Sequence, residues 1–141
     1  MKTMKRFKGR FGTVLCLWNV LGHIIVLKDR QEAIRNIANL LGDQGLLLVD
    51  VNNRLNVRQY GILRVVRNIV FELFRKEHGI FNLSVNGSMS QVYLSTKWEF
   101  ADLLKENGFD IERLVYIDYG NGLVRNSPLE GQLLAICRKK V

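Results

Sequence analysis

Two apolar runs separated by one helix's length of chain constrain this sequence more than any other feature. Val14 to Ile24 reads VLCLWNVLGHI, and Gly45 to Arg54 reads GLLLVDVNNR. Each is almost unbroken at its start and ends in polar residues, Trp18-Asn19 in one and Asp50 through Arg54 in the other. Strands covered on both faces look like this, because neither face needs the polar half of an alternation. In open α/β sheets built from such strands, ligands bind beyond the carboxyl ends, so the polar tails mark the candidate site. Between the runs, Asp29 with Glu32 three residues on reads as a capping box. Ile34, Ile37, Ala38 and Leu41 then share one helical face, and Gly42 is the stop signal. A strand, helix, strand unit of this length closes right-handed onto one sheet. Thr13 to Trp18 and Gly45 to Val51 are therefore predicted to be parallel neighbours.

After a polar loop from Asn52 to Gln59, the pattern of Leu63, Val66, Val70, Leu73 and Phe74 predicts a helix over Tyr60 to Lys76, ended by Gly79. Phe81, Leu83 and Val85 alternate with polar residues, Asn86-Gly87 suits a tight turn, and Gln91 to Leu94 returns, which predicts a hairpin. Thr96 with Glu99 is a second capping box, opening a helix that buries Phe100, Leu103 and Leu104 and ends at Asn107-Gly108-Phe109. Ile111 to Asp118 and Gly131 to Arg138 read as the last two strands. The loop from Tyr119 to Glu130 between them is polar and glycine-rich, and Gly120-Asn121-Gly122 within it is a turn, too short to hold a phosphate. His78 beside Gly79 suits a helix C-terminus through the dipole.

A chain of 141 residues with 48% apolar residues and one proline is long enough for one domain with a real core. No apolar run approaches the roughly 18 residues of a spanning helix, so no membrane partner is expected. Cys16 and Cys137 fall inside predicted strands without metal-ligand spacing, which reads as reduced core thiols in a cytoplasmic protein and no metal. The basic start lacks an apolar signal core, so Asn82 and Asn86 head chance sequons. The net charge of +8 invites a nucleic-acid reading. Lys2, Lys5, Arg6, Lys8 and Arg10, however, form an arm, the remaining bases are dispersed apart from Arg54, Arg58, Arg64 and Arg67, and no nucleic-acid motif accompanies them. Nucleic acid is therefore not the expected partner, and a solvated basic face is the simpler reading.

The order of elements, together with three local stretches, resembles the C-terminal half of the class I S-adenosylmethionine-dependent methyltransferases. Phe11 to Ile24 (FGTVLCLWNVLGHI) is similar to the family's fourth strand and following loop. Ala33 to Asp50 (AIRNIANLLGDQGLLLVD) is similar to its passage from a helix through a glycine into the fifth strand, and Glu99 to Phe109 (EFADLLKENGF) to its late helix ending. Asn19 with His23 and the loop from Asp50 to Arg54 look most like small-molecule enzymes of the glycine N-methyltransferase type. Two departures stand out: Gly12 occupies a place where the family usually has an acid, and the residues before Thr13 carry no Gly-x-Gly turn of the kind that approaches the cofactor.

The resemblance implies an α/β fold with a truncated Rossmann-like sheet in the order 4-5-7-6, the last strand antiparallel, helices on both faces and an inserted β-hairpin. Residues 1–12 are expected as a basic arm and 13–141 as one domain, with the insertion at about 60–95. It further implies that Asn19, Val20, Leu21 and His23 line S-adenosylmethionine, and that Asp50, Asn52, Asn53 and Arg54 face a small-molecule substrate. No residue is assigned as catalytic. His23 is either a base for an amine nucleophile or a lining residue, since methyl transfer needs chiefly alignment. Trp18 is expected in the core, and Arg54 and Arg58 are either solvated or an anion clamp. The implied function is methyl transfer to a small molecule once the cofactor-binding strands are supplied, with weak or absent cofactor binding by these residues alone. The alternative is a non-catalytic interaction or assembly module. Without a neighbour on its second side, Thr13 to Trp18 is a flat apolar edge, which predicts a homo-oligomer built through it.

Overall fold

The computed structural model describes residues 7–72, 79–85 and 88–140. In chain order these form β1 (Phe11–Cys16), a 3-10 turn (Val20–His23), α1 (Leu27–Leu40), β2 (Leu41–Val51), α2 (Val57–Tyr60) and α3 (Ile62–Glu72). They continue with β3 (Ile80–Val85), β4 (Ser88–Tyr93), α4 (Lys97–Glu106), β5 (Phe109–Ile117), β6 (Val124–Arg125) and β7 (Gln132–Lys139). The main sheet runs β1-β2-β7-β5-β6, and β3 with β4 forms a separate hairpin. β1 and β2 are parallel, with Val14 opposite Leu47 and Cys16 opposite Val49. The last strand, β7, lies antiparallel between β2 and β5.

Alternation along paired strands decides where the core sits. Leu47, Val49 and Val51 on β2 stand opposite Cys137, Ala135 and Leu133 on β7, and all six are buried. Ile34 of α1 and Phe100, Leu103 and Leu104 of α4 close over this face in one apolar cluster. Each of these large side chains contributes about 1.5–3 kcal/mol through burial. Helices are predicted on both faces; the two that join the core, α1 and α4, lie on the same one. The opposite face carries Leu15, Leu46, Leu48, Val115, Leu134 and Ile136, none of them in the cluster, and Leu15 is 62% exposed.

Several boundaries differ from the sequence expectation, each for a tertiary reason. α1 begins at Leu27 behind Val26 and has no side-chain cap, so Asp29 sits inside its first turn. The Arg30 guanidinium instead fixes the chain leading into the helix: Nη1 donates to the carbonyls of Ile24 and Ile25, both at 2.7 Å. The predicted long helix from Tyr60 is divided. Gly61, at φ 78°, separates α2 from α3, a backbone turn that side-chain-bearing residues resist. Residue Lys76, the helix end there, His78, the Asn86-Gly87 turn and residues 1–6 of the basic arm lie outside the described residues. β6 forms inside the loop expected to be wholly irregular, with Tyr116 opposite Arg125.

The second capping box is present in full: Thr96 accepts from the Glu99 backbone N–H, and Glu99 accepts from that of Thr96 at 2.8 Å. Thr96→Ala is expected to lower the unfolding free energy by about 1 kcal/mol in a urea titration, because the Glu99 N–H of the first turn loses its ordered partner.

Candidate functional site

The carboxyl ends of β1 and β2 meet a strained turn. Trp18 and Asn19 both have left-handed backbones, at φ 67° and 55°. Asn tolerates this conformation, whereas for a bulky residue such as Trp it is a true outlier, and strain of this kind collects where a site needs a fixed shape. The bonds that hold it are visible. The Asn19 backbone N–H donates to Asp50 Oδ1 at 2.7 Å, and Asn52 N–H donates to the Asn19 side-chain oxygen at 2.8 Å. The Asn19 amide folds directly over Gly22, where any β-carbon would lie 2.3 Å from it. The glycine in the VLGH turn is thereby explained.

Asp50 is buried, and its second oxygen accepts a short hydrogen bond from the Tyr119 hydroxyl. Burial, followed by that bond to a carboxylate, pushes the Tyr119 phenol well above its usual range, so it stays a donor at any ordinary pH. Its ring lies 5.8 Å from that of Trp18. Trp18 is 78% exposed, which corrects its expected place in the core. The left-handed turn swings the indole out of the strand's alternation and onto the rim of a cavity. That cavity, of about 220 Å³, is lined by Trp18, Asn19, His23, Asn52, Val92 and Tyr119.

The expected site residues therefore separate into three groups. Asn19, His23 and Asn52 line the cavity, and Asp50 supports its wall from beneath. Val20 is exposed beside it, whereas Leu21 is packed in the core. Asn53 and Arg54 are turned inward. The Asn53 backbone N–H donates to Gln132 Oε1 at 2.6 Å, and its amide nitrogen donates to the carbonyls of Pro128 and Gly131. Arg54, 5% exposed, donates to the Leu94 carbonyl and to both Glu99 oxygens, at 3.0 and 2.7 Å. This ties the hairpin and the start of α4 to the end of β2. Sequence reasoning missed Tyr119 and Val92: the one stands in a glycine-rich loop and the other in a hairpin strand, and neither position carries a local signal.

A second cavity of about 310 Å³ shares Tyr119 and is lined also by Arg58, Gln59, Asp118 and Gln132. Arg125 pairs with Asp118 at 2.7 Å and Arg58 lies 3.7 Å from the same carboxylate, so Arg58 is engaged within the protein. The Arg125 bond, then the Gly120 backbone N–H, holds the Asp118 carboxyl below its usual pKa of 3.8. A depressed acid adds stability above its unfolded value and loses it as pH falls through the folded one. Wild type is thus expected to lose urea resistance more steeply than Asp118→Asn as pH falls from about 4 to 2, and parallel midpoints over that window would count against the pairing.

Burial also raises both thiols, with Cys137 pushed up to about 12. Both cysteines are free. Among the described residues no helix is long and apolar enough to cross a membrane, and no group of three or more His, Cys, Asp or Glu side chains is placed to hold a metal ion.

No protein-family model matches the chain, and no curated protein matches it either. Solved structures do. A S-adenosylmethionine-dependent methyltransferase from Methanosarcina mazei superposes with a TM-score of 0.71 at 16% identity, over 95% of this chain and 61% of that one. A putative S-adenosylmethionine-dependent methyltransferase from Listeria monocytogenes gives 0.63 at 16% identity, over 95% and 63%. The 1,6-didemethyltoxoflavin-N1-methyltransferase of Burkholderia thailandensis, solved with 1,6-didemethyltoxoflavin and S-adenosylhomocysteine, gives 0.58 at 16% identity, over 95% and 46%. The chain has the α/β fold of the class I S-adenosylmethionine-dependent methyltransferases. It spans less than two thirds of the length of each of these structures.

Proposed function

We propose that this chain is a methyltransferase-like domain whose strained turn at Trp18-Asn19 forms one wall of a site for methyl transfer to a small molecule. The observation that carries the reading is the lock of that turn onto Asp50 at the carboxyl end of parallel strands, where α/β sheets bind ligands. The fold shared with S-adenosylmethionine-dependent enzymes supplies the cofactor class.

The described residues fit only part of that cofactor. A cavity of about 220 Å³ falls short of the roughly 300 Å³ at which sites for ligands of this size begin. Asp50 is already committed to Asn19 and Tyr119, and no other acid lines the cavity to take ribose hydroxyls. Two missing charge-assisted bonds of about 1.5–3 kcal/mol each weaken binding about a hundredfold or more. His23 and Asn52 have no side-chain hydrogen bond among the described residues, which leaves both available to an acceptor.

Titration with S-adenosylmethionine, followed through backbone amide resonances, tests the reading. Shifts saturating only near about 1 mM, confined to Trp18 through His23, Asn52 and Tyr119, are expected. No shift there overturns the functional reading, and a low-micromolar constant overturns the partial fit.

A second reading, an assembly module, is favoured by one specific observation: among the described residues β1 pairs only with β2, and it stands at the end of the sheet carrying the exposed Leu15. The occupant proposed for that edge is a second copy. Two copies of the same edge related by a two-fold axis pair antiparallel, which extends the sheet without a new interface chemistry. Light scattering at low concentration is expected to give a dimer or larger; a stable monomer overturns it.

A further inference from the structure

Away from the strained turn, a cavity of about 500 Å³ opens between the N-terminal end of α1, the base of the hairpin and one side of α4. Its apolar walls are Ile25, Val26, Ile80 and Leu103, enough for a branched aliphatic group. Asp102 and Glu106, one turn apart on α4, line the same space. Acids on a helix surface alone would mean only a solvated face. Arg30 changes that.

Arg30 is 4% exposed and lines the cavity. Its Nη1 is occupied by the Ile24 and Ile25 carbonyls, and the Tyr93 ring covers the guanidinium face, 3.6 Å from centroid to Cζ. Nε is buried with no hydrogen-bond partner, and Nη2 makes no hydrogen bond among the described residues. Nε–H and Nη2 share one edge of the guanidinium, the edge that grips a carboxylate through two parallel bonds. The protein uses one corner and one face of this buried cation and leaves the Nε–H buried without a partner, which is costly unless a ligand completes the edge it shares with Nη2.

The charges at the cavity decide what ligand that is. Glu99 is already shared by Arg54 and Thr96, while Asp102 and Glu106 remain to oppose a bare anion. A molecule with a carboxylate for Arg30, an ammonium for Asp102 and Glu106, and an aliphatic body for the walls satisfies all three. We propose that this cavity binds an α-amino acid with an apolar side chain, carboxylate on the Arg30 fork and ammonium on the α4 acids. No residue of this cavity lines the one at Trp18 and Asn19, so the inference is independent of methyl transfer.

The probe is L-leucine, read through the amide resonances of Arg30, Gln31 and Leu103. Saturable shifts are expected, with isocaproate, which lacks the ammonium, and isoamylamine, which lacks the carboxylate, each at least about tenfold weaker. The double variant Asp102→Asn, Glu106→Gln changes exposed residues only and keeps the fold, and a loss of about tenfold in leucine affinity is expected from it. Arg30→Lys keeps the charge without the fork and is expected to weaken leucine by a similar factor. Should that variant unfold, the analogues and the double variant still decide. Absence of saturable leucine binding overturns the proposal, as does equal binding of isoamylamine or an unchanged affinity in the double variant.

Discussion

Phe100→Ala is expected to lower the unfolding free energy by about 3–5 kcal/mol. The ring is completely buried where α4 meets the sheet, in the cluster that also holds Ile34, Leu47 and Leu104. Removing it withdraws apolar contact and leaves a cavity, because rigid strands on one side and helices on the other relax only partly. Domains of this size have about 5–15 kcal/mol in total, so the variant stands near the edge of folding at ordinary temperature. Ile34→Val, in the same cluster, removes one methylene and is expected to cost about 0.5–1.5 kcal/mol. Urea midpoints for the pair check the ratio; equal losses would mean that the cluster collapses around either gap.

Asp50→Ala is expected to cost about 2–4 kcal/mol and to release the Trp18-Asn19 turn. The substitution removes the acceptor for the Asn19 N–H and for the Tyr119 hydroxyl together, and the Asn19 N–H stands where water reaches it poorly. Without the Asp50 bond, the Asn52 N–H bond to the Asn19 side chain is left to offset the left-handed backbone at Trp18, and the turn relaxes toward ordinary φ. Asp50→Asn keeps one acceptor oxygen and is expected to lose about half as much. Indole fluorescence, in a Trp98→Phe background so that Trp18 reports alone, should redden and broaden in Asp50→Ala at temperatures where far-ultraviolet circular dichroism is unchanged. A spectrum identical to the parent would mean that the turn is held by other contacts.

What the sequence reveals here is whatever depends on neighbours along the chain. The apolar runs that become β1, β2 and β7, and the Thr96-Glu99 pair that caps α4, are local patterns, and each appears near its expected position. The start of α1 lies ahead of its expected capping box, and the chain before it is held by Arg30, which packs against Tyr93, far along the chain. Asn53 and Arg54 show the same limit. As polar residues just past a strand they look free to meet a ligand, yet their partners are Gln132, Pro128, Leu94 and Glu99, which only the folded sheet and hairpin bring near. Asn19 was legible because its position, at the carboxyl end of a buried strand, follows from the strand itself. Tyr119, its partner through Asp50, was not, since 69 residues separate the phenol from the carboxylate.

The placement of β7 has a consequence for how the chain comes to its fold. The final strand is the one inserted at the middle of the main sheet, with Asp50 opposite Leu134 and Tyr116 opposite Leu133. Until those last residues are available, β1 with β2 and β5 with β6 are two separate ribbons that share no strand pairing. Bringing β7 between them closes long loops on both sides before any contact rewards it, the condition that slows folding. A growing chain on the ribosome therefore carries one edge of β2 and one edge of β5 unpaired until β7 has emerged, and over that interval these apolar edges stand open to aggregation.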